Sequence, residues 1–189
     1  MNRINMVLCG LGGQGILFMT KILGQTALRE GFKVLGAETH GMAQRGGSVV
    51  SHLRLGNVQG SLVETGSAQV LLALEENEGY RNLPFLASAG RLFVNTSSPV
   101  FPREEVRSYL AEKKILCRSV PATSIALAMG APLSSNLALL GYFSVYGEGP
   151  FDHHKLKETI AEISPDRFRE NNLKVFDAGL QKGMEGKTD

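Results

Sequence analysis

Cysteine is scarce in this chain of 189 residues, with only Cys9 and Cys117 present. Two distant cysteines cannot by themselves ligate an iron–sulfur cluster. No C-x-x-C or H-E-x-x-H occurs from which a zinc site could be built. Both cysteines fall in expected buried strands, where a thiol serves as a small apolar core residue in a reducing compartment. His40 and His52 could meet in space, but two histidines without a third ligand make no metal centre. Excess charge is missing too: the formal net charge of +2 leaves no electrostatic reason to invoke nucleic acid or an anionic membrane. No apolar run approaches the roughly 20 residues of a spanning helix. The most apolar stretch, Leu137 to Tyr146, suits a core helix. Met1-Asn2-Arg3 leads straight into a strand-like run with no cleavage site, so no signal peptide is expected and the expected location is cytoplasmic.

Glycine, by contrast, is abundant: 22 residues, within a composition that is 43% hydrophobic, fit a globular chain rich in tight turns. The length is most simply one domain, residues 1–183, with a frayed tail at 184–189. Ile4 to Cys9 reads as a buried strand, and Gln14 to Glu30 as a helix with Ile16, Met19, Ile22, Leu23 and Ala27 on one face and Gly31 as its stop. Phe32 to Ala37, Gln69 to Leu74, Arg91 to Asn95 and Ile115 to Val120 read as further strands. Helices are expected near Glu76 to Leu86, Arg103 to Lys113, Ser124 to Met129 and Ser135 to Tyr146. Asp152 is a candidate N-cap for another helix, and Ser164-Pro165-Asp166 opens the last, which should end at Gly183. Val49 to Leu55, Gly56-Asn57 and Val58 to Val63 carry a hairpin signal. The expected fold is α/β: a mostly parallel sheet with helices on both faces, a Rossmann-like start and an antiparallel hairpin insertion near residues 49–63.

Two glycine-dense loops follow the first two strands and should lie together at the carboxyl edge of the sheet, where ligands collect in such folds. The first, Gly10-Leu11-Gly12-Gly13-Gln14-Gly15, satisfies G-x-G-x-x-G at a strand-to-helix turn whose backbone N–H groups can face an anion. A turn that needs its glycines only for packing is the plainer account, although Gly13 is a fourth glycine that packing does not require. Gln14 opens the helix with an amide able to reach a ligand. Glu38 stands roughly where a ribose-binding acid would lie in a nicotinamide enzyme. Against that reading, a second glycine loop and a hairpin occupy the place of the next βα unit, and little chain remains for a substrate domain.

The second loop, His40-Gly41-Met42-Ala43-Gln44-Arg45-Gly46-Gly47-Ser48, interleaves a titratable ring, a thioether, an amide and a guanidinium with its glycines. A mere linker would carry less chemistry. Arg45 suits an anion or a partner carboxylate. His52 and Arg54 share what reads as the outward face of the next strand and could extend that surface. Asn136 heads the apolar helix after Gly130-Ala131-Pro132-Leu133-Ser134-Ser135, where capping by Ser134 or Ser135 is the simpler explanation.

Taken together these segments resemble the gamma-type component of the 2-oxoacid:ferredoxin oxidoreductases, and most of all the small (beta) subunits of its indolepyruvate branch. The likeness runs from the first glycine turn through Glu38-Thr39-His40-Gly41-Met42-Ala43-Gln44-Arg45-Gly46-Gly47-Ser48-Val49, Leu71-Leu72-Ala73-Leu74-Glu75 and Val94-Asn95-Thr96. It ends with Asn172-Leu173-Lys174-Val175-Phe176-Asp177-Ala178-Gly179. The His-Gly-Met preceding Arg-Gly-Gly is what favours the arylpyruvate branch. The resemblance implies a subunit that binds no cofactor alone and is inactive alone. Its large partner would carry thiamine diphosphate with Mg and 4Fe–4S clusters, pass electrons to ferredoxin and make an acyl-CoA. The glycine-loop edge would then face the partner's active site or help to hold coenzyme A. The rival readings are a free-standing nucleotide- or CoA-binding regulatory protein, and the gamma subunit of a pyruvate or other 2-oxoacid oxidoreductase.

Overall fold

The computed structural model describes residues 3–40 (His40 by its backbone alone), 46–147 and 149–187. Within these residues six strands form one sheet: β1 (Ile4–Leu11), β2 (Val34–His40), β3 (Ser48–Leu55), β4 (Ala68–Ala73), β5 (Leu86–Asn95) and β6 (Leu116–Val120). Their spatial order is β2-β3-β1-β4-β5-β6. β1, β4, β5 and β6 are parallel neighbours, whereas β3 is antiparallel to both β1 and β2. β3 is therefore a reversed strand wedged where a dinucleotide fold would place β2 directly beside β1.

Among the described residues seven α-helices cover this sheet: α1 (Ile16–Arg29), α2 (Glu76–Asn82), α3 (Glu104–Glu112), α4 (Ala122–Ala128), α5 (Ser135–Ser144), α6 (His153–Ile163) and α7 (Asp166–Glu185). Period-two alternation sorts the central strands into two cores. Met6, Leu8, Leu53, Leu72 and Phe93 face α1 and α4 to α7. Val7, Cys9, Leu71, Leu92 and Val94 face α2, α3 and the segment around Val63. All ten residues of α5 are buried, because this helix lies between the sheet and α7. Small residues make the crossing possible. A Cβ on Gly141 would collide with the Phe176 carbonyl, and one on Gly179 with the Ala138 carbonyl. Asp152 caps α6 as its sequence suggests, accepting from the N–H groups of His154 and Lys155. α7 continues past Gly183 to Glu185, into the segment expected to fray.

The hairpin differs from expectation. An antiparallel strand is present at Ser48–Leu55, but its partners are β1 and β2, and Val58 to Val63 forms no strand. Gly56 does turn the chain, with φ +88°. The segment beyond it folds over the sheet instead of pairing alongside it. Arg54 donates from Nη1 to Gly60 O at 3.0 Å and to Leu62 O at 2.9 Å. Val58 and Val63 are buried beneath. Side chains take the Val58, Gly60 and Leu62 carbonyls and the Val63 N–H, bonds that a ladder partner would otherwise supply.

Candidate functional site

β1 and β2 end at the same edge, and the two glycine loops meet there. Gly12 N donates to Gly47 O at 2.8 Å, and Gly46 N donates to Gly12 O at 3.4 Å. A pair of backbone hydrogen bonds thus joins the loops into one surface. Gly13 and Gly15 adopt φ +98° and +80°, and Gly46 adopts +74°, conformations that glycine takes without a steric penalty. Nothing lies within 4 Å of a Cβ built on Gly13 or Gly46, so packing does not demand glycine at either place; the dihedral does.

Gln14 is turned back into the loop. Its Oε1 accepts from Leu11 N at 2.7 Å, and its Nε2 donates to Leu74 O at 3.4 Å. Leu74 N in turn donates to Cys9 O at 2.8 Å, so this amide locks the ends of β1 and β4 together. A Cβ on Gly10 would stand 2.6 Å from Gln14 Oε1, which explains the glycine at that position. The N–H groups of Leu11 and Gly12 are therefore already engaged within the chain. α1 begins at Gly15 without a side-chain cap.

Asn136, 3% exposed, donates from Nδ2 to Gly15 O at 3.1 Å and accepts at Oδ1 from Leu137 N at 3.0 Å. The third candidate segment is thereby brought against the first glycine loop. Beside this contact opens an apolar cleft of about 440 Å³, lined in part by Phe18, Pro132, Leu133, Pro165 and Phe168. Leu133 is 81% exposed and Phe168 46% exposed on its walls.

Ser48 leaves the second loop half-buried and donates from its hydroxyl to Glu78 Oε2 at 2.6 Å. Glu78 also meets Arg81 at 2.6 Å. Glu38 is exposed on β2, the edge strand. Gly41, Met42, Gln44, Arg45 and the side chain of His40 lie outside the described residues.

His52 does not face outward. It is 5% exposed, accepts from Val63 N at Nδ1 (3.1 Å) and stands edge-on to Phe85 with centroids 5.1 Å apart. Burial pushes its pKa below the ordinary 6.5 and favours the neutral ring. Its alternation with Arg54 reads as a solvated face only if residues 58–63 lie beside the strand. They lie on top of it. Both cysteines are protonated thiols, because burial pushes Cys117 up to about 11 and Cys9 further still. Among the described residues no group of three or more His, Cys, Asp or Glu side chains could hold a metal ion.

Sequence reasoning missed a second, polar cleft on this edge. It has a volume of about 310 Å³ and is lined by residues that include Gln14, Glu75, Glu76, Asn95, Thr96 and Thr123. Asn95 ties it together, donating from Nδ2 to Leu74 O at 3.0 Å and to Thr123 Oγ1 at 2.8 Å, and accepting at Oδ1 from Thr123 N at 3.0 Å. Glu76 accepts from Thr96 Oγ1 at 2.7 Å and from Tyr80 OH at 3.1 Å. The signal was available: Glu75, Asn95 and Thr123 each follow or end a strand, the position that singled out the glycine loops.

Comparison with known proteins places this edge in context. Residues 5–182 match the family described as pyruvate ferredoxin/flavodoxin oxidoreductase. The indolepyruvate oxidoreductase subunit IorB of Methanothermobacter thermautotrophicus is 34% identical over 192 residues, which span 96% of this chain and 98% of that protein. Two solved structures share the fold. The gamma subunit of a keto/oxoacid ferredoxin oxidoreductase from Geobacter sulfurreducens superposes with TM-score 0.73 at 20% identity, covering 96% of this chain and 99% of that one. A 2-oxoglutarate:ferredoxin oxidoreductase from Magnetococcus marinus, with 2-oxoglutarate, coenzyme A and succinyl-CoA bound, superposes with TM-score 0.78 at 18% identity over 98% of this chain and 32% of that one. With nearly its whole length matched, this chain belongs to the pyruvate ferredoxin/flavodoxin oxidoreductase family.

Proposed function

We propose that this chain is the non-redox subunit of a 2-oxoacid:ferredoxin oxidoreductase of the indolepyruvate type, working with a large subunit in the cytoplasm. The observation that carries this reading is the end-to-end match to an indolepyruvate oxidoreductase small subunit. Thiamine diphosphate with Mg, iron–sulfur clusters and coenzyme A would supply decarboxylation, electron transfer to ferredoxin and acyl capture. We assign the first two to the large subunit, because the donor set here suits neither. An iron–sulfur cluster takes four cysteine thiolates where this chain has only Cys9 and Cys117, and the described residues offer no metal-binding cluster. For this chain the proposal leaves the work of assembly. The joined glycine loops present a rigid backbone surface, and the apolar cleft with exposed Leu133 and Phe168 beside it has the character of a protein-docking surface. The second loop, with Arg45, completes the active site or the coenzyme A site of the partner.

Reconstitution tests the proposal. The purified chain should not reduce ferredoxin or viologen with indolepyruvate, and adding the large subunit should give CoA-dependent turnover. In that complex Arg45→Ala should weaken assembly or lower turnover while the melting temperature of the isolated chain stays unchanged. Viologen reduction by the chain alone, or failure to associate with any large subunit, sinks the reading. A chain that remains single and binds coenzyme A by itself would favour the free-standing alternative.

A further inference from the structure

Arg54 stands on β3 opposite Asn5, near the start of β1, at the end of the sheet away from the glycine loops. It is only 8% exposed, yet every acceptor it reaches is neutral. Nε donates to Asn5 Oδ1 at 3.0 Å, and Nη1 donates to the Gly60 and Leu62 carbonyls. A buried guanidinium ordinarily requires a carboxylate to offset its desolvation. None does so here, and Nη2 has no acceptor among the described residues. Lys33 adds a second cation to the same segment, donating from Nζ to Val58 O at 3.1 Å.

Arg54 lines an open cleft of about 690 Å³, together with Arg3, Asn57, Gln59, Ser61 and Glu64. Among the described residues, none of Arg3, Lys33 and Arg54 takes part in an ion pair. Only one acidic side chain, Glu64, lines the cleft against two guanidinium groups. Two guanidinium groups against one carboxylate leave the cleft with a net positive charge that attracts anions, and its polar lining offers further donors. Nε is spent on Asn5 and Nη1 on holding the segment, which leaves Nη2 for a ligand. Arg3, exposed and without a hydrogen bond or ion pair among the described residues, supplies a second, adjustable donor.

We propose that this cleft is an oxyanion site, taking the phosphate monoester or carboxylate of a small ligand between Arg54 and Arg3. It lies at the opposite edge from the joined loops, so it stands whether or not the assembly reading holds.

Thermal melting of the full chain at constant ionic strength, with chloride exchanged for inorganic phosphate in one arm and for acetate in the other, tests it. Phosphate at about four times its Kd should raise Tm by about 2–4 °C, and the rise should continue with the logarithm of its concentration. Arg3→Gln, which disturbs no structural contact, should raise the phosphate Kd about tenfold or more. Glu64→Gln should lower it by up to about fivefold. A response to phosphate alone identifies a phosphate monoester site, and an equal or greater response to acetate identifies a carboxylate site. The proposal falls if neither anion shifts Tm beyond chloride, or if the shift is the same size in Arg3→Gln.

Discussion

Replacing Gly15 by alanine tests the joint between the first glycine loop and α5 in a form that can be measured. The backbone there sits at φ +80°, and an L-residue in that region loses about 1–2 kcal/mol. A Cβ at this position would lie 2.5 Å from Asn136 Nδ2 and must push it aside. That movement breaks the 3.1 Å bond to Gly15 O and strands a buried amide, worth a further ~1–3 kcal/mol. The expected loss is about 2–5 kcal/mol, or roughly 4–20 °C in Tm for a chain of this size. Urea unfolding of the full chain reads it directly. Asn136→Ala removes the obstructing amide, so the double variant should cost less than the two single variants added together, by about 1 kcal/mol or more. Additivity within about 0.5 kcal/mol, or a Gly15→Ala chain as stable as the parent, would refute the claim that these two segments are coupled through this contact.

Two further perturbations follow from the same geometry. Because burial lowers the pKa of His52 in the folded chain, the unfolded chain takes up the proton first as pH falls. The stability that His52 contributes is then complete above about pH 6.5 and is lost below it, by at most about 1.4 kcal/mol per pH unit, until the folded pKa is reached. Urea midpoints across that range should fall less steeply in His52→Gln, and identical slopes would contradict the assignment. In α7, Gly179→Ala drives a Cβ into the Ala138 carbonyl and should cost about 3 kcal/mol or more, whereas Gly130→Ala, at φ +68° with nothing within 4 Å, should cost only about 1 kcal/mol. The reverse order in chemical denaturation would mean that the α5–α7 crossing yields where the structure holds it rigid.

Much of the fold is legible in the sequence because its cues are local. Short strand-like runs mark β1, β4, β6 and β5 from Arg91 onward, helical spacing marks α1, and Asp152 and Pro165 mark the starts of α6 and α7. The first half of β5 is not marked in this way, since it begins at Leu86, where the sequence reads as the close of a helix. The strand order is not local. Nothing within Ser48–Leu55 states that this strand pairs with both β1 and β2, since its ladder partners are set by how the rest of the chain closes around it. The same limit explains His52 and Arg54. Polar residues alternating with apolar ones describe a half-solvated strand unless something covers the polar face, and what covers it is a segment read as a strand in its own right. Arg54 holds that segment by its carbonyls, an arrangement that depends on a side chain reaching 6 to 8 residues along the chain.

The first glycine loop carries the sharpest lesson about motifs. Its spacing promises N–H groups free for an anion, yet three of them are consumed inside the chain: Leu11 N by the Gln14 amide, Gly12 N by Gly47 O and Gln14 N by Leu11 O. Glycine at Gly10 is explained by room for Gln14, and at Gly13 and Gly15 by positive φ, so most of the motif serves the turn itself. What distinguishes this loop from an isolated turn is its backbone union with the second loop. That union fixes Gly46, Gly47 and Ser48 against β1 on one side and, through Glu78, against α2 on the other. The motif therefore does its work at second hand: it holds Gly46, Gly47 and Ser48 beside β1, and that footing is what the proposed ligand or partner contacts of the second loop would start from.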